Sequence, residues 1–293
     1  MPIKTVAILS PGDMGHAVGR ALGRHGMEVI TCLNARSQRT RDLARAAGIA
    51  DVPTLEELVA NADIILSILV PAQAVGLARQ VAEALKATGA DTPYADCNAV
   101  SPETVKGIDV VITGAGSRFI DAGIIGGPPN DTQSPRFLAS GPHAVLLTGL
   151  DGMGIQVRSV GEGIGKASAI KMCYAAMTKG TSALHLALLT AAHLLGVSDE
   201  LREELASSQS EALKRMESQV PLLPVTARRW VGEMEEIAAT FQQAGVTPDF
   251  HLGAAEMYRL LGRTNMADET PETLDASRTL EQTVSKLVNQ IAE

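Results

Sequence analysis

A chain of 293 residues with 45% hydrophobic and 20% charged side chains is composed as a folded globular protein, and it is long enough for two domains of ordinary size. Its formal net charge of -8, with no run of basic residues, excludes the electrostatic footprint that a nucleic-acid backbone demands. Three widely separated cysteines, Cys32, Cys97 and Cys173, make neither a disulfide framework nor a CxxC metal pair, so a reducing, cytoplasmic setting is expected.

The first apolar stretch, Val6 to Leu9, is too short for a secretory segment, and no run of about twenty apolar residues exists to cross a bilayer. The expectation is a soluble protein with no membrane partner. From Lys4 to about Val157, short apolar runs alternate with helical patterns. Strands are expected at Thr5 to Leu9, Glu28 to Leu33, Ile64 to Val70, Tyr94 to Cys97, Val110 to Thr113 and Phe119 to Ala122. Several of these runs are continuously apolar, as parallel strands covered by helices on both faces must be, which predicts an α/β fold with a doubly wound parallel sheet.

The rhythm changes after the glycines of Gly161 to Gly165. Lys166 to Leu195 lacks proline and is rich in Ala, Leu and Met, which predicts one long helix. Further helices are expected at Asp199 to Gln219, Pro224 to Ala244, Asp249 to Leu261 and Pro271 to Ala292, several opened by capping residues. The reading is therefore an α/β domain over 1–162 and an all-helical domain over 163–293.

The first strand runs into Ser10, Pro11, Gly12, Asp13, Met14 and Gly15, and then into a helical stretch. Strand, tight glycine turn and helix in that order form a degenerate GxGxxG arrangement, with Ser10 in place of the first glycine. Such a turn lets backbone N–H groups and a helix N-terminus approach a pyrophosphate. About twenty residues on, where a carboxylate would hold the ribose 2′-hydroxyl of NAD, stand Asn34, Arg36, Ser37 and Arg39. Two guanidiniums and no acid at this position favour a 2′-phosphate, hence NADP over NAD.

The turn Gly12-Asp-Met-Gly15 with Ala17 and Leu22 resembles the GxMGxxxAxxL opening of the β-hydroxyacid dehydrogenases, the family of 3-hydroxyisobutyrate and 6-phosphogluconate dehydrogenases. Asp96-Cys-Asn-Ala-Val-Ser-Pro102, Phe119-Ile-Asp-Ala-Gly-Ile-Ile-Gly-Gly127 and Gly163-Ile-Gly165 with Lys171 resemble further segments of that family, in the same order. The resemblance implies a Rossmann-type domain with a helical partner, Lys171 as general acid/base, Leu69, Val70, Pro71 and Asn98 along the nicotinamide, and Gly126 and Gly127 facing the substrate. The substrate is then expected in the cleft between the sheet and the long helix. Lys171 also stands out on its own, because Ala167, Ser168, Tyr174 and Ala175, its helical neighbours at three and four positions, carry no acid. Burial of an ammonium lowers its pKa toward the range useful for proton exchange.

The chain also departs from the family. Ala175 stands where the family has asparagine, Ile125 where it has serine, and Glu233 is the nearest counterpart of a family lysine. With Tyr174, Trp230 and Met234, these residues predict a larger, more apolar pocket with an acid at its edge, suited to a bulky or aromatic β-hydroxyacid-like or keto compound. The same departures resemble imine reductases, with Glu233 opposite an iminium nitrogen, although those enzymes usually lack the lysine. A catalytically silent NADP-binding sensor is a third reading. A homodimer through the C-terminal helices is expected, since a helical domain of about 130 residues cannot bury all faces of so long an apolar helix.

No metal site is read. His185 and His193 are eight residues apart on one helix, about 12 Å at 1.5 Å per residue, and no HExxH pattern or acidic loop occurs. Gly161-Glu-Gly-Ile-Gly-Lys166 lacks the spacing and the Ser or Thr of a phosphate-binding P-loop.

Overall fold

The computed structural model describes residues 2–292. In chain order the first part comprises β1 (Thr5–Leu9), α1 (Asp13–Arg24), β2 (Glu28–Thr31), α2 (Gln38–Ala46), β3 (Ala50–Asp51), α3 (Leu55–Asn61) and β4 (Ile64–Ser67). It continues with α4 (Pro71–Thr88), β5 (Tyr94–Asp96), α5 (Pro102–Thr113), β6 (Phe119–Ile125), β7 (Arg136–Ser140), the short α6 (Ala144–Leu147) and β8 (Gln156–Ser159). Six helices follow: α7 (Lys166–Leu195), α8 (Ser198–Ser208), α9 (Ser210–Gln219), α10 (Pro224–Gln243), α11 (Asp249–Gly262) and α12 (Leu280–Ala292).

The eight strands form one sheet in the order β3-β2-β1-β4-β5-β6-β7-β8. Strands β1 to β6 are mutually parallel, β7 is antiparallel to β6, and β8 runs parallel to β7. This is a Rossmann-type doubly wound sheet extended by two reversed strands. Its apolar runs divide between two cores at a period of two residues. Val6, Ile8, Ile64 and Leu66 face one helical layer with Leu22 and Leu147, and Ala7, Leu9 and Ile65 face the other with Leu85 and Ile108. Burying each large aliphatic side chain contributes about 1.5–3 kcal/mol, so the central strands hold the sheet together from both sides.

The chain divides into two compact units at Met172 and Cys173. The opening turns of α7, from residue 163 onward, thus belong with the sheet, and the compact first unit runs past the expected boundary at 162. The second unit carries α8 to α12 around the remainder of α7. Within it α10 and α11 pack together, with Trp230 edge-on to Tyr258 at 5.3 Å and Phe241 against the His251 ring at 4.3 Å. Arg228 donates to the Gly262 carbonyl at 2.9 Å, closing the end of α11.

Several expected elements differ. The apolar run Val110 to Thr113 is the last turn of α5: Ser101 caps that helix through Thr104 N–H, Pro102 opens it, and Val105, Ile108 and Ile112 make its buried stripe. The expected helix from Asp199 to Gln219 breaks at Gln209 into α8 and α9, and the last helix starts at Leu280, well beyond Pro271. Three strands, β3, β7 and β8, fall outside the expected set. Among the described residues no helix is long and apolar enough to cross a membrane.

Candidate functional site

β1 delivers the chain into the glycine turn. Ser10, in the position of the first glycine, adopts the left-handed region at φ 61°, and Gly12 N–H donates to its carbonyl at 2.7 Å. Gly12 is the N-cap of α1 and has no side chain with which to satisfy the first-turn N–H groups, which leaves them for an anion. Gly15 is required by packing: a Cβ there would lie 3.1 Å from the Ser10 carbonyl oxygen and 3.3 Å from Ile8 Cγ2. Gly15 thus lets α1 pack closely on β1, and the uncapped N–H groups after Gly12 fit the pyrophosphate of a dinucleotide.

Beside it, at the carboxyl ends of β1 and β2, lies a cavity of about 380 Å³ lined by Leu9, Cys32, Asn34, Arg36, Leu55 and Gln80 among others. Its position and its mixture of apolar and polar walls suit an adenosine moiety. Arg36 reaches Gln73 Oε1 at 3.3 Å, and Asn34 donates to the Pro53 carbonyl at 2.6 Å. Arg39 is bound at 2.6 Å to Asp13, which stands in the first turn of α1. Ser37 has a structural task as the N-cap of α2, accepting from Thr40 N–H. The cavity thus receives Arg36 and Asn34 directly, while Arg39 ties the second strand-end loop to the glycine turn.

At the ends of β4 and β5 Asn98 is buried and fully engaged. Its Oδ1 accepts from Leu69 N–H at 2.7 Å, and its Nδ2 donates to Ser67 Oγ at 3.0 Å and to Asp96 Oδ2 at 2.9 Å. Asn98 therefore fixes the loop of Leu69, Val70 and Pro71, of which Val70 is exposed and Pro71 opens α4. Burial, and then the Asp96 charge, push the neighbouring Cys97 thiol and Tyr94 hydroxyl to higher pKa, so both stay protonated at neutral pH.

The residue that organises the start of α7 is Asp121 on β6, which sequence reasoning did not single out. Its fully buried carboxylate accepts from the backbone N–H groups of Gly165 (2.9 Å), Ala167 (3.1 Å) and Ser168 (3.3 Å) and from the hydroxyls of Ser168 (2.6 Å) and Ser140 (2.7 Å). A carboxylate at a helix N-terminus satisfies open donors and meets the positive end of the dipole. Two residues along β6, a Cβ on Gly123 would stand 2.9 Å from Lys171 Cβ and 3.0 Å from the Ala167 carbonyl oxygen. Gly123 is thus the gap that admits the second turn of α7, and Lys171, half-buried, sits over it. The signal for both was the alternation Asp121, Gly123 on one side of an otherwise apolar strand.

Gly126 and Gly127 end β6, Gly126 with φ 114°. Ile125 is 5% exposed and packs with Leu138 and Ala167, which makes it a wall of the core at this end of the strand.

The other predicted substrate residues lie in the second unit. Tyr174 is exposed, Met234 is wholly buried and Trp230 is half-buried against Tyr258. Glu233 is buried and forms an ion pair with Lys179, with Arg229 Nε at 3.6 Å. Lys179 also stands 5.2 Å over the Trp230 ring, and its carbonyl accepts from Tyr258 Oη at 2.7 Å. The expected acid at a pocket edge is thus matched by two cations of its own unit. Lys179 was missed because only the packing of α10 against α7 brings the two charges together.

Fold and glycine turn together define a dinucleotide-binding protein of Rossmann type. Residues 5–150 match the model of the NAD binding domain of 6-phosphogluconate dehydrogenase, and residues 192–261 match a domain of unknown function (DUF1932). An uncharacterized 28.5 kDa protein of Methanothermus fervidus is 31% identical over 185 residues, 63% of this chain and 70% of that protein. The mitochondrial 3-hydroxyisobutyrate dehydrogenase of Drosophila melanogaster is 27% identical over 176 residues, 58% of this chain and about half (52%) of its own length. A solved structure described as similar to 3-hydroxyacid dehydrogenases, the conserved protein MTH1747, is 29% identical with a TM-score of 0.62, covering 88% of this chain and 99% of that one. At the level of fold alone, an imine reductase variant from Myxococcus stipitatus aligns with a TM-score of 0.53 at 18% identity, over 89% and 93% of the two chains. The chain belongs to the β-hydroxyacid dehydrogenase family, as a divergent member.

Proposed function

We propose that this protein transfers a hydride between NADP and a hydroxyl/carbonyl carbon of a bulky or aromatic β-hydroxyacid-like compound, with Lys171 as the general acid/base. The observation that carries this reading is the seating of Lys171 over Gly123, at the end of a helix locked to the sheet by Asp121. The nicotinamide, when bound, supplies or takes up the hydride. The protein's own part is positioning and proton transfer. Gly12 to Gly15 hold the pyrophosphate on the open N–H groups of α1, and Arg36, with Arg39 behind it, meets the 2′-phosphate. Asn98 sets the loop Leu69 to Pro71 along the nicotinamide. The Lys171 ammonium gives its proton to the carbonyl oxygen in reduction, and the amine takes it back in oxidation, a contribution of about 10²- to 10⁴-fold. Gly126 and Gly127 supply substrate surface within the first unit, beside the buried Ile125.

Reduction of a C=N bond ranks second, because Glu233, the group that would face an iminium nitrogen, is already paired with Lys179 and Arg229. The protein acts as a homodimer. Ile170, Tyr174, Met177, Thr181, Leu184, Leu188, Ala191 and Leu195 recur on α7 at alternating spacings of four and three, and Met177, Leu184 and Leu195 are more than half exposed. A seam of that period suits a second helix. The decisive experiment is NADPH consumption over a panel of keto acids, aldehydes and cyclic imines, repeated with Lys171→Met. The wild type should turn over a bulky keto acid, and the variant should keep cofactor binding while losing 10²-fold or more in kcat. Flat traces on every substrate would favour the sensor, and an unimpaired variant would remove Lys171 from the chemistry.

A further inference from the structure

α8 is unusual within the second unit. None of its eleven residues is buried, whereas α10 of the same unit buries residues from Pro224 to Thr240. Its apolar residues Leu201 and Leu205 nevertheless do not face bulk solvent alone. They line a cavity of about 330 Å³ whose other walls include Leu189 of α7, Leu213 of α9 and Val284 of α12. Protein interiors leave few voids larger than a water molecule, and an apolar wall without a partner forfeits its dispersion contacts. The volume falls at the small end of the range for ligand sites, roughly 300–1,000 Å³, which are apolar in body with a few polar groups at one place.

Those polar groups are present. Arg202 of α8 donates to Glu217 of α9 at 2.8 Å and to Glu281 of α12 at 3.0 Å, and all three line the cavity on its exposed side. Asp199 lies beside them, so three carboxylates meet one guanidinium and the rim carries net negative charge. The ion pairs also tie α8 to two other helices across this side, which shapes the space for a compact molecule. Leu189 and His193 lie about 110–150° around α7 from the exposed seam, at 3.6 residues per turn, so the seam and these cavity walls point to different sides.

We propose that this cavity binds a small hydrophobic amine, its ammonium group among Glu217, Glu281 and Asp199 and its aliphatic or aromatic body between Leu201, Leu205 and Leu213. The site lies wholly in the second unit and uses none of the residues assigned above to nucleotide or substrate. It therefore stands or falls independently of the dehydrogenase reading.

The test is calorimetric titration of the full-length protein, without nucleotide, with three molecules of nearly the same shape: cyclohexylmethylamine, cyclohexylmethanol and cyclohexanecarboxylate. Saturable binding of the amine, about tenfold tighter than the alcohol and with no detectable carboxylate binding, is expected from a charge-assisted contact at the rim. Leu205→Trp, which fills the cavity, should abolish binding of both amine and alcohol. Should that variant fail to fold, Glu217→Gln with Glu281→Gln decides the matter: the amine should weaken to the level of the alcohol while the alcohol is unchanged. Absence of saturable binding by the amine, equal binding of the carboxylate, amine affinity unchanged by the double substitution, or crystals in which side chains of a second copy fill the space would each overturn the proposal.

Discussion

Replacing Asp121 by alanine removes one acceptor that five donors share at the start of α7. Ala167 N–H keeps Ser140 Oγ at 3.0 Å, and the two hydroxyls can turn to other partners, but Gly165 N–H and Ser168 N–H lose the carboxylate inside a buried environment. Each orphaned buried donor costs about 1–3 kcal/mol, and loss of the anion at the positive end of the helix adds about 1 kcal/mol. The sum is about 5 kcal/mol. For a unit of this size, each kcal/mol moves the melting temperature by roughly 2–4 °C, so Asp121→Ala should melt about 10–20 °C below the wild type. Asp121→Asn keeps an oxygen toward the backbone donors and turns its amide toward Ser168 Oγ, which can accept. It loses only the charge, about 1–2 kcal/mol, or a few degrees. Scanning calorimetry on the three proteins gives the order directly. A melting point for the alanine variant within about 2 °C of the wild type, or one for the asparagine variant as low as that of alanine, would refute the view that this carboxylate anchors the helix.

Arg36→Ala and Arg39→Ala should raise KM for NADPH far more than for NADH, in steady-state kinetics with each nucleotide; equal effects would remove the preference for the 2′-phosphate. Lys179→Met leaves Glu233 buried with Arg229 as its remaining cation at 3.6 Å, and should cost about 3–5 kcal/mol. Adding Glu233→Leu to it should restore much of that loss, a coupling read from a double-mutant cycle of denaturant midpoints. Burial holds His251, set edge-on against Phe241, below the usual imidazole pKa, and it does the same for His185, where Arg215 adds to it. The unfolded chain therefore takes up protons first as pH falls through about 6.5, and the stability these residues supply above that pH is lost progressively below it. His251→Phe should flatten that dependence in melting curves taken across the range.

The nucleotide half of the protein was legible because its signals are local. A continuous apolar run, a turn with Gly12 and Gly15 and a helix follow one another within about twenty residues, and each piece rests on its own chemistry. The reading of Val110 to Thr113 as a strand failed where local preference and packing disagreed. The β-branched run favours extension, but the stripe Val105, Ile108, Ile112 against the sheet prevailed and left Val110 in solvent. β7 and β8 were hidden because each is short and irregular in polarity, and their pairing partners lie far away or beyond an intervening loop. The same distance concealed Asp121, whose five donors come from residues 19 to 47 positions away. Lys179 and Glu233 likewise are 54 positions apart, and no spacing rule joins them. The roles of Lys171 and the glycines could be read along the chain, whereas the groups that hold them in place could not.

The sheet ends on both sides in modest strands: β3 has only two residues, and β8 has four, of which three are exposed. Unpaired backbone at a sheet margin invites another chain to add on, and brevity with polar side chains is how natural proteins discourage it. Here the discouragement is symmetrical, so neither margin offers a template for runaway stacking. Concentrated solutions should therefore resist fibril growth, and preparations that do self-associate should retain their infrared amide signature unchanged.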